Sequence, residues 1–158
     1  MKTKFLLIYG YALPILTSLV VSSLLMLFKF DYAQIAIFYA SNQEILIGFF
    51  IGIAAIAFPF INSIINEDNP HVLTVLQRVR EVFRFALMFQ AMLIIGSLFV
   101  ILFLSALKNQ NYFIGWIQLL ASSLITFETL ALISNGRSYG NIREKIIVEV
   151  NKVEQKRD

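Results

Sequence analysis

Residues 85–107 read FALMFQAMLIIGSLFVILFLSAL, 23 positions without a full charge. A helix rises ~1.5 Å per residue, so ~20 apolar residues cross the hydrocarbon core of a bilayer. Three further stretches match this one, at 5–28, 45–65 and 112–134, and together the four occupy 91 of 158 residues. Glu128 is the one ionisable carboxyl inside them. The expected fold is all-α, an integral membrane four-helix bundle.

Composition agrees with this reading. Hydrophobic residues make up 58% of the chain and charged residues 15%, against about 45–50% and 25% in soluble domains. No independent globular domain fits between the spans. Two parts are expected, a transmembrane domain over 1–136 and a cytoplasmic amphipathic tail over 137–158. The chain has no cysteine and a single His71, which removes disulfide frameworks, thiolate chemistry and multi-histidine metal sites. Phosphate-binding loops, nucleophile elbows and paired carboxylates do not occur either. Neither enzyme activity nor a cofactor is expected. The opening Met-Lys-Thr-Lys resembles the start of a signal peptide, but the apolar run after it spans 24 residues, well beyond the ~7–15 of a signal core. It is expected to remain as span one.

Cations fix the orientation expected of four spans, because Lys and Arg are retained in cytoplasmic loops. Eleven of the 13 Lys and Arg fall on one side: Lys2, Lys4, Arg78, Arg80, Arg84, Arg137, Arg143, Lys145, Lys152, Lys156 and Arg157. Lys29 and Lys108 fall on the other. Both termini and the 2–3 loop should therefore face the cytoplasm of a cell whose inner (plasma) membrane holds the chain. Acidic residues interleave with these cations, so no direct nucleic-acid contact is expected.

Within the spans, Pro14 implies a bend in the first, and Gly48 with Gly52 forms a Gly-x-x-x-Gly pair that lets a second helix approach closely. That helix could belong to the same chain or to a second copy. The segment 30–43 is too short to cross and should lie in the outer interface or extend span two. Asn66-Glu67-Asp68-Asn69-Pro70 reads as a turn. From Val72 the apolar residues Val75, Leu76, Val79, Val82 and Phe83 recur at helical spacing with no Gly or Pro before span three. One helix from about 72 to 107 follows, its first turns (72–84) outside the membrane. The tail repeats the pattern with Ile142, Ile146, Val150 and Val153, and Gly136 with Gly140 suggests a hinge before it. So short a tail helix is marginal alone and needs the start of helix three, a second copy or a soluble partner to pack on.

Glu128 lies six residues inside the cytoplasmic end of span four, where a charge costs ~2.5–3.5 kcal/mol on insertion scales. Gln90 and Asn62 lie at similar expected depth, so the three could form one polar cluster. It is either structural glue, part of a cation path, or the site of an acid that senses pH or voltage. Gln118, Ser122, Thr126 and Thr129 add a polar stripe that either lines a pore or knits helices. Trp116, Tyr112 and Tyr139 are placed at span ends, as interfacial aromatics are.

Four spans with termini inside, the basic run Gln77-Arg78-Val79-Arg80-Glu81-Val82-Phe83-Arg84 leading into span three, and a short charged tail resemble the small membrane proteins of prokaryotic anti-phage defence of the KwaA-like or RexB-like kind. The resemblance covers the layout of the whole chain and carries over no site residue. It implies a homo-oligomeric inner-membrane subunit working with a cytoplasmic protein partner. From the residues themselves, Arg78, Arg80, Arg84, Ile142, Ile146 and Val150 are expected to dock such a partner, and the lipid bilayer is the other contact. A small ion channel or pore-forming effector is the alternative.

Overall fold

The computed structural model describes residues 2–28, 31–66, 68–107 and 111–155; side chains of 2–11, 26–27, 54, 57, 60, 63–65, 71, 75–80 and 154 lie outside the description. Lys29, Lys108, Lys156 and Arg157, used above to assign sidedness, lie outside the described residues, as do the side chains of Lys2, Lys4, Arg78 and Arg80.

Five helices follow in order: α1 (Lys2–Leu27), α2 (Tyr32–Ser41), α3 (Gln43–Ile65), α4 (Pro70–Ala106) and α5 (Tyr112–Glu154), with no strand among the described residues. Two of them hold segments long and apolar enough to cross a membrane, Glu81–Ala106 and Tyr112–Val153. A third span is available if the bent pair α2 and α3 counts as one, and Ala12–Leu25 of α1 is a shorter apolar helix.

Three helix starts have a local cause. Asp31 caps α2, its Oδ1 accepting from the backbone of Ala33 at 3.0 Å and Gln34 at 3.4 Å. Asn69 Oδ1 accepts from Val72 N at 3.3 Å, and Pro70 fills the first helical position, where a missing N–H costs nothing. Asn111 caps α5 through Phe113 N at 3.2 Å. At Asn42 the backbone leaves the helix, and its N–H and side-chain amide both close on Phe38 O. The axis turns there by 87°. Residues 32–41 are therefore a separate helix and not a straight extension of span two.

The core is organised around α5, which contacts all four other helices. Along α4 the seam runs through buried Leu87, Gln90, Ile94, Ser97, Ile101 and Ser105, and along α5 through Gln118, Ala121, Ile125, Glu128, Leu132, Gly136 and Tyr139, with Ala86 and Thr129 buried beside it. These steps of three and four residues are the spacing of a left-handed antiparallel seam. The seam does not stop where the apolar runs end. Fully buried Val72, the Phe83–Tyr139 edge-to-face pair (5.7 Å), and the partly buried Ile146 and Ile147 continue it.

At α5 Gly136 and Gly140 the structure departs from expectation. The helix passes through both without interruption, so 137–158 does not begin at a hinge and its described part continues the fourth span. Two glycines cost a helix roughly 1 kcal/mol each, a small term beside packing along the whole seam, and Gly136 is itself buried in it.

Candidate functional site

The seam between α4 and α5 holds an unusual set of buried polar groups. Ser105 Oγ donates to Ile101 O at 2.7 Å and accepts from Gln118 Nε2 at 3.0 Å. Near the other end, Asn135 Nδ2 donates to Gln90 Oε1 at 3.3 Å. These two cross-links set the register, Ser105 opposite Gln118 and Gln90 opposite Asn135. Counting along both helices brings Glu128 level with Ile95 from the first cross-link and with Ser97 from the second. That is the middle of the 85–107 apolar run, deeper than its position six residues from the end of 112–134 suggests.

Glu128 is fully buried and neither carboxyl oxygen has a hydrogen-bond partner among the described residues. The three-residue polar cluster expected from depth does not assemble. Gln90 pairs with Asn135, Asn62 is exposed and pairs with Asn66 one turn on, and Glu128 bonds to neither. Equal depth does not supply equal azimuth: Asn62 projects from α3 away from the seam.

Half of the stripe Gln118, Ser122, Thr126 and Thr129 knits helices, Gln118 to α4 through Ser105 and Ser122 to α2. Ser122 meets the hydroxyl of Tyr39 from α2 and donates to Gln118 O at 2.8 Å. Thr126 and Thr129 donate to their own helix, to Ser122 O and Ile125 O. Such bonds satisfy hydroxyls inside hydrocarbon without water.

Two residues that escaped sequence reasoning position α2. Tyr32 is fully buried, donates its hydroxyl to Ser22 O of α1 at 2.7 Å, and packs edge-on against Tyr112 with ring centroids 4.7 Å apart. Directly beneath it, Gly115 lets the Tyr32 backbone carbonyl come so close that a Cβ there would overlap it. A single glycine in an apolar run announces no such crossing. Gly48 and Gly52, which did carry a motif, have open space where a Cβ would point. Among the described residues no atom approaches either position within 4 Å of such a Cβ.

Of the expected docking residues, Arg84 is exposed, while Arg78 and Arg80 have no described side chains. Ile142 is 36% exposed, but Ile146 packs against the core and Val150 is half-buried. Half of the tail's apolar stripe is thus taken up by its own chain. Tyr139 is likewise 1% exposed, packed edge-on against Phe83. No group of three or more His, Cys, Asp or Glu that could hold a metal occurs among the described residues.

Fold and site together define a helical membrane protein built on one long antiparallel pair. Comparison with protein-family models, curated proteins and solved structures finds no match to this chain.

Proposed function

We propose that the chain is a homo-oligomeric, four-span subunit of the inner membrane, with both termini cytoplasmic, which docks a cytoplasmic protein and couples it to the bilayer. A prokaryotic anti-phage defence system is the setting its layout suggests. One observation supports this above the others, the continuous seam. At ~1.5 Å per residue, α4 with 37 residues is ~55 Å long and α5 with 43 is ~64 Å, against ~30 Å of hydrocarbon. A short connection joins the C-terminal end of α4 to the N-terminal end of α5, so both excesses emerge on the same side. They form a paired stalk.

A stalk packed by the same seam as the membrane pair is a rigid lever. Tilt or rotation in the bilayer reaches its tip, and force on the tip reaches Glu128. Its outer surface is built for a soluble protein: Arg84, Arg137, Glu144, Lys145, Glu149 and Lys152 are exposed, with Ile142, Val148 and Val153 among them. The cations place that surface in the cytoplasm. Open Gly48 and Gly52, flanked by exposed Ile45, Phe49, Ile51 and Ile56, support contact between copies.

The test is the mass of the complex in mild detergent and the identity of what co-purifies, for the parent chain and for Arg78→Glu/Arg80→Glu/Arg84→Glu. A defined oligomer that loses its soluble partner on charge reversal supports the scaffold. An oligomer without a partner favours the alternative, a small ion channel or pore-forming effector. That alternative draws on Glu128, a carboxyl at mid-depth without a hydrogen-bond partner, and requires Glu128→Gln to change conductance in a planar bilayer.

A further inference from the structure

At the end of the bundle opposite the stalk, a groove of about 550 Å³ is lined by Phe28, Asp31, Gln34, Ile35, Phe38, Tyr39 and Leu119. The volume suits a small ligand or one end of a larger one. Asp31 is the one ionisable carboxylate of the lining. Its Oδ1 is held by the two backbone amides it caps, which fixes the carboxylate in place. The second oxygen has no ion pair or hydrogen bond among the described residues. Beside it stands the exposed Gln34 amide, and around both are the rings of Phe28 (77% exposed), Phe38 (55% exposed) and Tyr39.

The chemistry of this lining selects its occupant. A fixed carboxylate among aromatic faces attracts a cation. One carboxylate without a second acidic ligand is a poor site for a divalent metal. A primary ammonium brings three N–H donors, and the Asp31 oxygen and the Gln34 amide offer acceptors to them. A quaternary ammonium has none to give. Position narrows the choice further. Asp31 comes three residues after the apolar run of α1 ends at Phe28, where the four-span reading puts the headgroups, while Ile35, Phe38 and Leu119 carry the groove on along α2 and α5. A ligand that fits both ends has an ammonium head and hydrocarbon tails.

We propose that this groove holds one phosphatidylethanolamine molecule, with its ammonium on Asp31 and Gln34 and an acyl chain against Phe38 and Leu119. The lipid lies along α2 where that helix packs on α5, and so ties the outer end of the bundle to the composition of the leaflet around it.

The test is native mass spectrometry of the full-length, delipidated protein titrated with phosphatidylethanolamine, phosphatidylcholine and phosphatidylglycerol of identical chains. One ethanolamine lipid should saturate the protein at a concentration about tenfold or more below that for the choline lipid, the worth of one charge-assisted hydrogen bond. Asp31→Asn keeps the helix cap and should abolish the preference without changing helix content. Gln34→Leu, which leaves the cap untouched, should reduce it in part. Equal binding of the three lipids, a preference for choline or glycerol headgroups, or an ethanolamine preference that survives Asp31→Asn would each overturn the proposal. So would loss of selectivity in Lys29→Gln with Asp31 intact, since the headgroup phosphate would then be what is read.

Discussion

The ring of Phe83 packs edge-on against that of Tyr139, centroids 5.7 Å apart, and at this contact α4 and α5 leave their apolar stretches as a pair. Beyond it, on the stalk side, α4 and α5 run on past the length a bilayer needs. Phe83→Ala should destabilise the protein by about 3 kcal/mol, as for other large-to-small changes in a packed site. Limited proteolysis checks this, with new cleavage in residues 137–155 and the membrane part left intact.

Gly115 is the position least tolerant of a methyl group. A Cβ there meets the Tyr32 carbonyl, and a helix crossing cannot relax by rotating one side chain. Gly115→Ala should cost about 1–3 kcal/mol and lower the melting temperature in detergent. Gly48→Ala and Gly52→Ala, which point into open space, should leave the melting temperature of a monomer unchanged and reveal themselves only in the oligomer mass.

Ser105 and Gln118 form the polar cross-link at the end of the seam away from the stalk. Gln118→Leu should cost little, about 0.6 kcal/mol on average for such bonds in membranes, partly repaid because a buried amide oxygen without a partner is removed with it. A double-mutant cycle with Ser105→Ala gives the coupling directly.

Glu128 separates stability from use. Replacing a buried carboxyl that has no partner by an apolar group of similar size is neutral or stabilising, so Glu128→Met should keep or raise the melting temperature. Glu128→Lys should lower the yield of inserted protein, because a charge at mid-depth is costly to insert. If Glu128→Met is stable and yet inactive in the cell, the carboxyl is kept for function.

Long-range order along α4 was legible from residues alone. The absence of Gly and Pro between Val72 and Phe85, where the amphipathic stretch runs into span three, foretold one helix, and Pro70–Ala106 is one helix. The Asn-rich turn before it was equally readable, because Asn69 and Pro70 act through local hydrogen bonds and a fixed φ. Azimuth was not legible. Gln90 and Asn62 share an expected depth with Glu128, but which helix faces which follows from contacts between distant segments. Gly136 and Gly140 misled for a related reason: a propensity of roughly 1 kcal/mol reads as a hinge until the packed face of the helix is seen. Tyr32 and Gly115 stayed hidden because neither makes a pattern; their meaning lies in their meeting.

The central claim is a cytoplasmic stalk continuous with the membrane pair, and the chain's lack of cysteine makes it directly testable. Val148→Cys on the stalk and Asn111→Cys at the opposite end, both exposed positions, would be probed with a membrane-impermeant maleimide in intact spheroplasts and in inverted membrane vesicles. The account predicts that Val148→Cys reacts only in inverted vesicles and Asn111→Cys only in intact spheroplasts. Reaction of Val148→Cys in intact spheroplasts, or protection of it in both preparations, would contradict the account.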